Sequence, residues 1–159
     1  MNVRTIIYVL ALFFAGACTV AAPDENSMVV IPGGSITPTK VSPQFFTSSA
    51  RLAPLHPEES PSAVSAGQVS FEPGAHSNWH THPRGQLLII TAGNGWVQEW
   101  NGKKRDIKAG DVVWTPAGVK HWHGATNSTA MTHIAIQESV AGKGVEWLEA
   151  VSNAQYAAN

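Results

Sequence analysis

Hydrophobic residues between Ser62 and Glu138 fall into short runs, and each run ends near glycine, proline or asparagine. Val64–Phe71 and Leu87–Thr91 are two of these runs. Short apolar runs with little helical periodicity are typical of strands. Turn signals separate the runs at short intervals, among them Gly93-Asn94-Gly95 after Thr91 and Asn101-Gly102, a strong hairpin sequence. The pattern therefore predicts an all-β sandwich or barrel.

The amino-terminal residues follow a different pattern, which is typical of a secretory signal peptide. Arg4 supplies a positive charge, Ile6–Phe14 is an unbroken apolar run, and the small residues at 15–17 suit cleavage. The run is too short to span a bilayer comfortably. We predict that residues 1–22 are removed and that the protein is exported, to the periplasm or as a secreted protein. Cys18, the single cysteine, follows the small residues directly, so a membrane partner is expected only if that cysteine is lipidated.

A polar stretch interrupted by prolines and glycines separates this leader from the strands. Residues 23–44 are interpreted as a linker or an amino-terminal arm. Residues 45–151 are then the folded domain, with a core of ordinary size. At its end, Val145–Val151 fits either a last strand or a short helix, and the pattern does not separate the two.

The charge pattern excludes one class of partner. Charged residues are 13% of the 159 residues, and the formal net charge is −1. A nucleic-acid-binding protein would show a basic stripe, whereas Lys103–Arg105 is a short cluster beside a turn. We therefore predict no nucleic-acid partner.

Histidines are concentrated in the strand region, where six of the seven lie between His76 and His133. His80 and His82 are two residues apart, so on a strand both imidazoles lie on one face, roughly 6.5 Å apart at the backbone. Gln86 has the same parity after a corner at residues 83–85 and can return to that face. Two imidazoles and an amide oxygen on one face are a plausible half of a metal site. The alternative for Gln86 is that its amide braces a ligand histidine without touching the metal.

A second group of imidazoles follows a tight corner at Pro116 and Gly118, which delivers His121 onto a strand. His123 has the same parity as His121, so it is either a base in the pocket or a partner that orients a ligand. His133 alternates with Ile134 and is expected to line the cavity. We therefore treat His123 and His133 as the candidate catalytic residues. The tryptophans are expected to fill the core or the barrel wall, and none is assigned to a substrate.

The region around the first histidine pair resembles the first motif of the cupin superfamily, Gly-x5-His-x-His-x3-Glu-x6-Gly. The spacing is matched by Gly74, His80, His82 and Gly93, and Gln86 stands where the motif has glutamate.

The region around His121 resembles the second cupin motif, Gly-x5-Pro-x-Gly-x2-His-x3-Asn. It is matched by Gly110, Pro116, Gly118 and His121, with Ala125 in place of asparagine. The resemblance covers roughly residues 64–138. It implies a single cupin β-barrel, a small jelly roll, with one metal bound by His80, His82, Gln86 and His121.

Within cupins, the motif sequences most closely resemble those of the bacterial manganese-dependent cupin hydroxynitrile lyases. The resemblance rests on Trp79-His-Thr-His-Pro83, Gly110-Asp-Val-Val-Trp114 and Lys120-His-Trp-His-Gly124. It implies a lyase acting on a small oxygenated molecule, one divalent metal ion with manganese favoured, and a homodimer. Iron, nickel, copper and zinc also accept nitrogen and oxygen ligands of this kind.

A glutamine in place of the usual carboxylate changes the expected chemistry. Three neutral imidazoles and a neutral amide leave the charge of a divalent cation uncompensated, which favours polarisation of a bound oxygen. That suits Lewis-acid work on a hydroxyl or carbonyl, with a nearby imidazole moving the proton. The alternatives are an iron-type dioxygenase and a metal- or ligand-binding sensor without turnover.

Overall fold

The computed structural model describes residues 27–47, 49–56 and 62–158. The predicted signal peptide and Cys18 lie outside these residues. By its contacts the chain divides after Pro32, and the unit that begins at Gly33 contains all the helices and strands described below. Residues 27–32 contain neither helix nor strand. In the part of the chain described, no helix is long and apolar enough to cross a membrane.

In the described residues the folded unit has twelve strands and one short helix. They are β1 (Thr39–Lys40), β2 (Phe46–Thr47), β3 (Ala50–His56), β4 (Val64–Phe71), β5 (His76–Ser77), β6 (His80–Thr81), β7 (Gln86–Glu99), β8 (Arg105–Lys108), β9 (Val112–Thr115), β10 (His121–Ala125), β11 (Met131–Glu138), β12 (Glu146–Trp147) and α1 (Asn153–Ala157). This content confirms the all-β prediction.

The strands form a curled antiparallel sheet with the order β1-β3-β4-β11-β7-β10-β5-β2. Strands distant in sequence are neighbours in it, since β4 pairs with β11 along its whole length. On β4 every second residue is buried, which is the alternation expected of strands with one face on the core. The core cluster under these strands includes Phe71, Leu88, Ile90 and Met131.

The strand β7 is longer than predicted. The sequence places a turn at Gly93–Gly95, but the chain runs through it without interruption, pairing with β11 and β9 in its first half and with β10 and β8 in its second. The glycines are needed for close packing, because a Cβ on Gly93 would lie 1.9 Å from the Ala130 oxygen and one on Gly95 would lie 2.1 Å from the Met131 sulfur. The separate turn is therefore a wrong prediction.

Elements lie beyond both ends of the predicted range 45–151. β1 lies inside residues 23–44, the segment that was expected to be a linker or an arm, and it pairs with β3 of the domain. Of the two elements left open for residues 145–151, that stretch contains the short strand β12, and the helix α1 begins only after it, at Asn153. Ser152 caps this helix by accepting from the Gln155 backbone N–H. Tyr156 is buried against Trp122, so α1 packs on the sheet.

Candidate metal centre and active site

The three predicted ligand histidines converge in the folded chain. His80 and His121 face each other as a residue pair between β6 and β10, and His82 follows two residues after His80. All three side chains are buried, and their nearest ring nitrogens lie within 4.8 Å of one another. Ring nitrogens grouped in this way could hold one metal ion between them.

Backbone carbonyl groups set the tautomer of each of these imidazoles. The Nδ1 atom of His80 lies 2.9 Å from the Asn78 oxygen, that of His121 lies 3.0 Å from the Val119 oxygen, and that of His82 lies 2.7 Å from the Gly144 oxygen. A carbonyl oxygen only accepts, so each Nδ1 carries the hydrogen and donates it. Each Nε2 is therefore left with a lone pair, which is the form that binds metal.

Gln86 belongs to the same cluster. Its Oε1 atom lies 3.1 Å from the His121 Nε2 atom. When His121 donates from Nδ1, its Nε2 atom and the Gln86 Oε1 atom are both acceptors and cannot hydrogen-bond to each other. A cation bound between them would satisfy both lone pairs. The His82 Nε2 atom is buried without a hydrogen-bond partner among the described residues. This unpaired acceptor and the neutral donor set fit a divalent cation.

Burial keeps these histidines neutral. It lowers the pKa of His121 to about 4, and it lowers the pKa of His82. The pKa of His80 falls well below its usual range, first because the ring is buried and then because His121 and His82 lie beside it. Neutral imidazoles are available to a metal without the release of a proton.

A cavity of about 370 Å³ brings the two predicted catalytic histidines to the ligand set. His123 and His133 both line it, together with His80, His82 and Gln86. The His133 Nε2 atom lies 3.2 Å from the His123 Nδ1 atom, and the His123 ring centroid lies 5.2 Å from that of His80. Burial lowers the pKa of His133 to about 3 and holds that of His123 well below its usual range.

The sequence interpretation missed several residues of the cavity. Trp147, Phe45 and Phe46 line it, although no tryptophan was assigned to a substrate. Gln137 also lines it. Its Nε2 donates to the Ser65 hydroxyl, and its buried Oε1 atom has no hydrogen-bond partner within residues 27–47, 49–56 and 62–158. One signal was present, because Val145 and Trp147 alternate in the sequence and both border the cavity.

One histidine of the dense region lies elsewhere. His76 is buried, stacks on Tyr156 with ring centroids 4.3 Å apart, and does not line the cavity. Its Nδ1 atom lies 2.9 Å from the Thr47 hydroxyl. The density of histidines in the sequence therefore marks both the site and a neighbouring structural contact.

Comparisons with known proteins agree with this geometry. The family model described as "Cupin domain" matches residues 67–136. The chain is 50% identical over 123 residues to a protein named (R)-mandelonitrile lyase from Granulicella tundricola, covering 77% of this chain and 94% of that protein.

Solved structures show the same fold. A cupin-like protein from Thermotoga maritima is similar with a TM-score of 0.71 and 40% identity, covering 74% of this chain and 90% of that chain. A polyketide cyclase from Streptomyces resistomycificus has a TM-score of 0.66 at 11% identity, covering 82% of this chain and 91% of that one, so its likeness shows the fold alone. From the two motifs, the curled antiparallel sheet and these matches, the chain belongs to the cupin superfamily and has a hydroxynitrile lyase among its relatives.

Proposed function

We propose that this protein is a metal-dependent lyase that splits a cyanohydrin into an aldehyde and hydrogen cyanide. The observation that carries the proposal is the placement of His123, a buried neutral imidazole in the same cavity as the ligand cluster. A sensor would need the ligands but not this imidazole. The 50% identity to a protein named (R)-mandelonitrile lyase supports the same reaction class.

His80, His82, His121 and Gln86 are the residues that would hold the metal, with manganese favoured by the resemblance. A divalent cation there supplies Lewis-acid polarisation of a hydroxyl or carbonyl oxygen. The four neutral side chains leave its charge uncompensated.

His123 is the proposed base. Its Nδ1 atom contacts His133, so Nε2 is the ring nitrogen left for the cavity. The cyanohydrin hydroxyl gives its proton to Nε2, the carbon–oxygen bond becomes a carbonyl, and the carbon–carbon electron pair leaves with cyanide. Cyanide then takes the proton from the imidazolium as hydrogen cyanide, which restores the neutral imidazole. General base catalysis of this kind contributes about 10²–10⁴-fold.

His133 is proposed to select the tautomer of His123. The His123 Nε2 atom accepts a proton only while the ring hydrogen lies on Nδ1, where it donates to the His133 Nε2 atom. His133 then carries its hydrogen on Nδ1, an atom that is buried and has no hydrogen-bond partner in the part of the chain that the structure describes. In the opposite tautomer His133 donates to His123, and His123 presents an N–H to the cavity.

The test is cyanide release from mandelonitrile at mildly acidic pH, where spontaneous breakdown is slow. Manganese-loaded and metal-stripped protein are compared above the buffer background. We expect release that requires the metal and benzaldehyde in equal amount. If the two samples release cyanide at equal rates, and the loaded sample is confirmed to be full of metal, the lyase proposal is wrong. The assignment to the cupin superfamily would still hold. Oxygen uptake with the iron-loaded protein would instead support the dioxygenase alternative.

Export and a homodimer are further proposals. The support for export is the leader pattern of residues 1–22. The support for self-association is an uncovered apolar strip on the edge strand β9, where Val112 is 62% and Trp114 is 58% exposed. The strip continues onto half-buried Leu87 and Ile89 of the neighbouring strand. In a two-fold symmetric dimer the same apolar strip of each subunit would pack against that of the other.

A further inference from the structure

A row of three polar side chains crosses the sheet and ends at the ligand cluster. Gln137 of β11 is the residue pair of Ser65 on β4 and of Gln86 on β7, so the three residues lie side by side on adjacent strands. Gln86 and Gln137 both line the cavity, and Ser65 is buried. Facing residues of antiparallel strands have Cβ atoms about 5 Å apart, so each side chain of the row can reach the next.

The two amides of this row point in the same direction. Gln137 donates from Nε2 to the Ser65 hydroxyl at 3.0 Å, which turns its Oε1 atom away from Ser65. That oxygen is buried and has no hydrogen-bond partner in the described residues. Gln86 holds its own Oε1 atom 3.1 Å from the His121 Nε2 atom, so its Nε2 nitrogen lies on the other side of the amide. An unpaired acceptor and an amide donor therefore start from facing positions in the sheet.

The orientation of the Gln86 amide decides whether it can bind a metal. The amide oxygen has lone pairs, whereas the amide nitrogen only donates. In the metal-free protein the reversed amide is a competing state, because the Gln86 nitrogen would then donate to the lone pair of the His121 Nε2 atom. That hydrogen bond would use the ligand atom of His121 and turn the Gln86 oxygen away from the cluster. A group other than His121 must hold the oxygen in place.

We infer that Gln137 is a positioning residue for the metal centre, whose Oε1 atom accepts a hydrogen bond from Gln86 Nε2 and so holds the Gln86 oxygen toward the ligand histidines. This bond also satisfies a buried acceptor, which is costly to leave unpaired. In this role Gln137 acts through Gln86 and touches no reacting atom. The inference rests on the ligand set of the proposed function and is independent of the lyase reaction.

The experiment measures the manganese dissociation constant by competition with a chelator of known affinity. Gln137→Leu removes the acceptor. Gln68→Leu is the matched control, because Gln68 is a half-buried glutamine on the neighbouring strand β4 and does not line the cavity. Both changes are repeated in a Gln86→Glu background. If Gln137→Leu does not fold, Gln137→Met replaces it in both backgrounds.

We expect Gln137→Leu to weaken manganese binding by about 10- to 100-fold, the usual effect of removing a group that orients a metal ligand. Gln68→Leu should bind as the parent protein does. In the Gln86→Glu background the loss caused by Gln137→Leu should be smaller by about tenfold, because a carboxylate presents an oxygen in either orientation. A role of Gln137 in packing alone would cost the same in both backgrounds, and that result would overturn the inference. Parent affinity in Gln137→Leu would overturn it too.

The ligand assignment and the positioning role fail in different ways. If Gln86→Leu binds manganese as tightly as the parent protein, Gln86 is not a ligand and both are wrong. If Gln86→Leu binds manganese weakly while Gln137→Leu binds it as the parent does, Gln86 remains a ligand and only the positioning role is wrong. Neither measurement depends on turnover, so the lyase reaction is decided separately by cyanide release.

Discussion

The His133 Nε2 atom lies 3.2 Å from the His123 Nδ1 atom, so one of these two cavity imidazoles donates a hydrogen bond to the other. Each ring is buried, and the His133 Nδ1 atom has no other partner in the described chain. The state of one ring therefore fixes the state of the other.

Replacing each member of this pair should separate the base from its partner. His123→Ala should keep its metal and lose about 10²–10⁴-fold in kcat, because the proton acceptor is gone. His133→Asn should lose less, and the pH–rate profile should move because the tautomer of His123 is no longer selected. Steady-state kinetics from pH 4.5 to 7 with metal analysis of each variant measures both effects. If His123→Ala turns over as the parent does and His133→Asn loses the activity, the two roles are reversed.

The ligand set should be visible in metal content. His80→Ala, His82→Ala and His121→Ala should each lose stoichiometric manganese, because one of four ligands is removed while the core cluster is untouched. His76→Ala is the matched control, since this buried histidine lies outside the cavity. Elemental analysis of dialysed protein gives the answer. Three ligand variants that all bind metal as the control does would show that the site lies elsewhere.

Gln86→Glu should keep the metal and slow the lyase reaction. A carboxylate restores an anionic ligand and lowers the positive charge felt by a bound oxygen. Gln86→Leu is the control without a ligand atom and should bind manganese more weakly. If Gln86→Leu binds manganese with the parent affinity, Gln86 only braces His121.

The stability of the metal-free protein should fall in acid because of His133. Burial lowers its pKa to about 3 in the folded state, whereas an unfolded histidine titrates near 6.5. Between these values the unfolded chain binds a proton that the folded chain does not, so the free energy of unfolding falls as the pH drops below about 6.5. Above that pH neither state is protonated and this contribution is constant. In urea unfolding at pH 7, 6, 5 and 4, His133→Asn should show a slope shallower by up to about 1.4 kcal/mol per pH unit. If the free energy of unfolding depends on pH equally in the parent protein and in His133→Asn, this prediction is wrong.

Export is tested by the mass of the protein from its own cells. The pattern of residues 1–22 predicts a mature amino terminus between Cys18 and Pro23. Intact-mass analysis should show this shortened chain. A terminus at Cys18 with added acyl mass would indicate the lipid-anchored form, and a chain that retains Met1 would end the prediction.

Local patterns predicted much of the fold and of the site. Val64–Phe71 has the predicted bounds as β4, and His80, His82 and His121 converge because motif spacing fixes their parity on strands. The aromatic side of the cavity, formed by Phe45, Phe46 and Trp147, could not be predicted in the same way, because Phe45 and Trp147 meet only when the two ends of the domain fold onto β5 and β6. The turn at Gly93–Gly95 was wrong for a related reason. Glycine there serves a close approach of residues 130 and 131, which lie far away in the sequence.

The carbonyl groups that orient the ligands differ in how far away they lie in the chain. The oxygens of Asn78 and Val119 come from residues two before their own histidines, whereas the Gly144 oxygen that fixes His82 comes from a residue 62 positions later. The segment that supplies it also carries Trp147. Detachment of residues 140–147 would free the His82 ring and remove part of the aromatic side of the cavity while the β4–β11–β7 sheet stays paired. Metal exchange should therefore follow the rate of this local opening and not that of global unfolding.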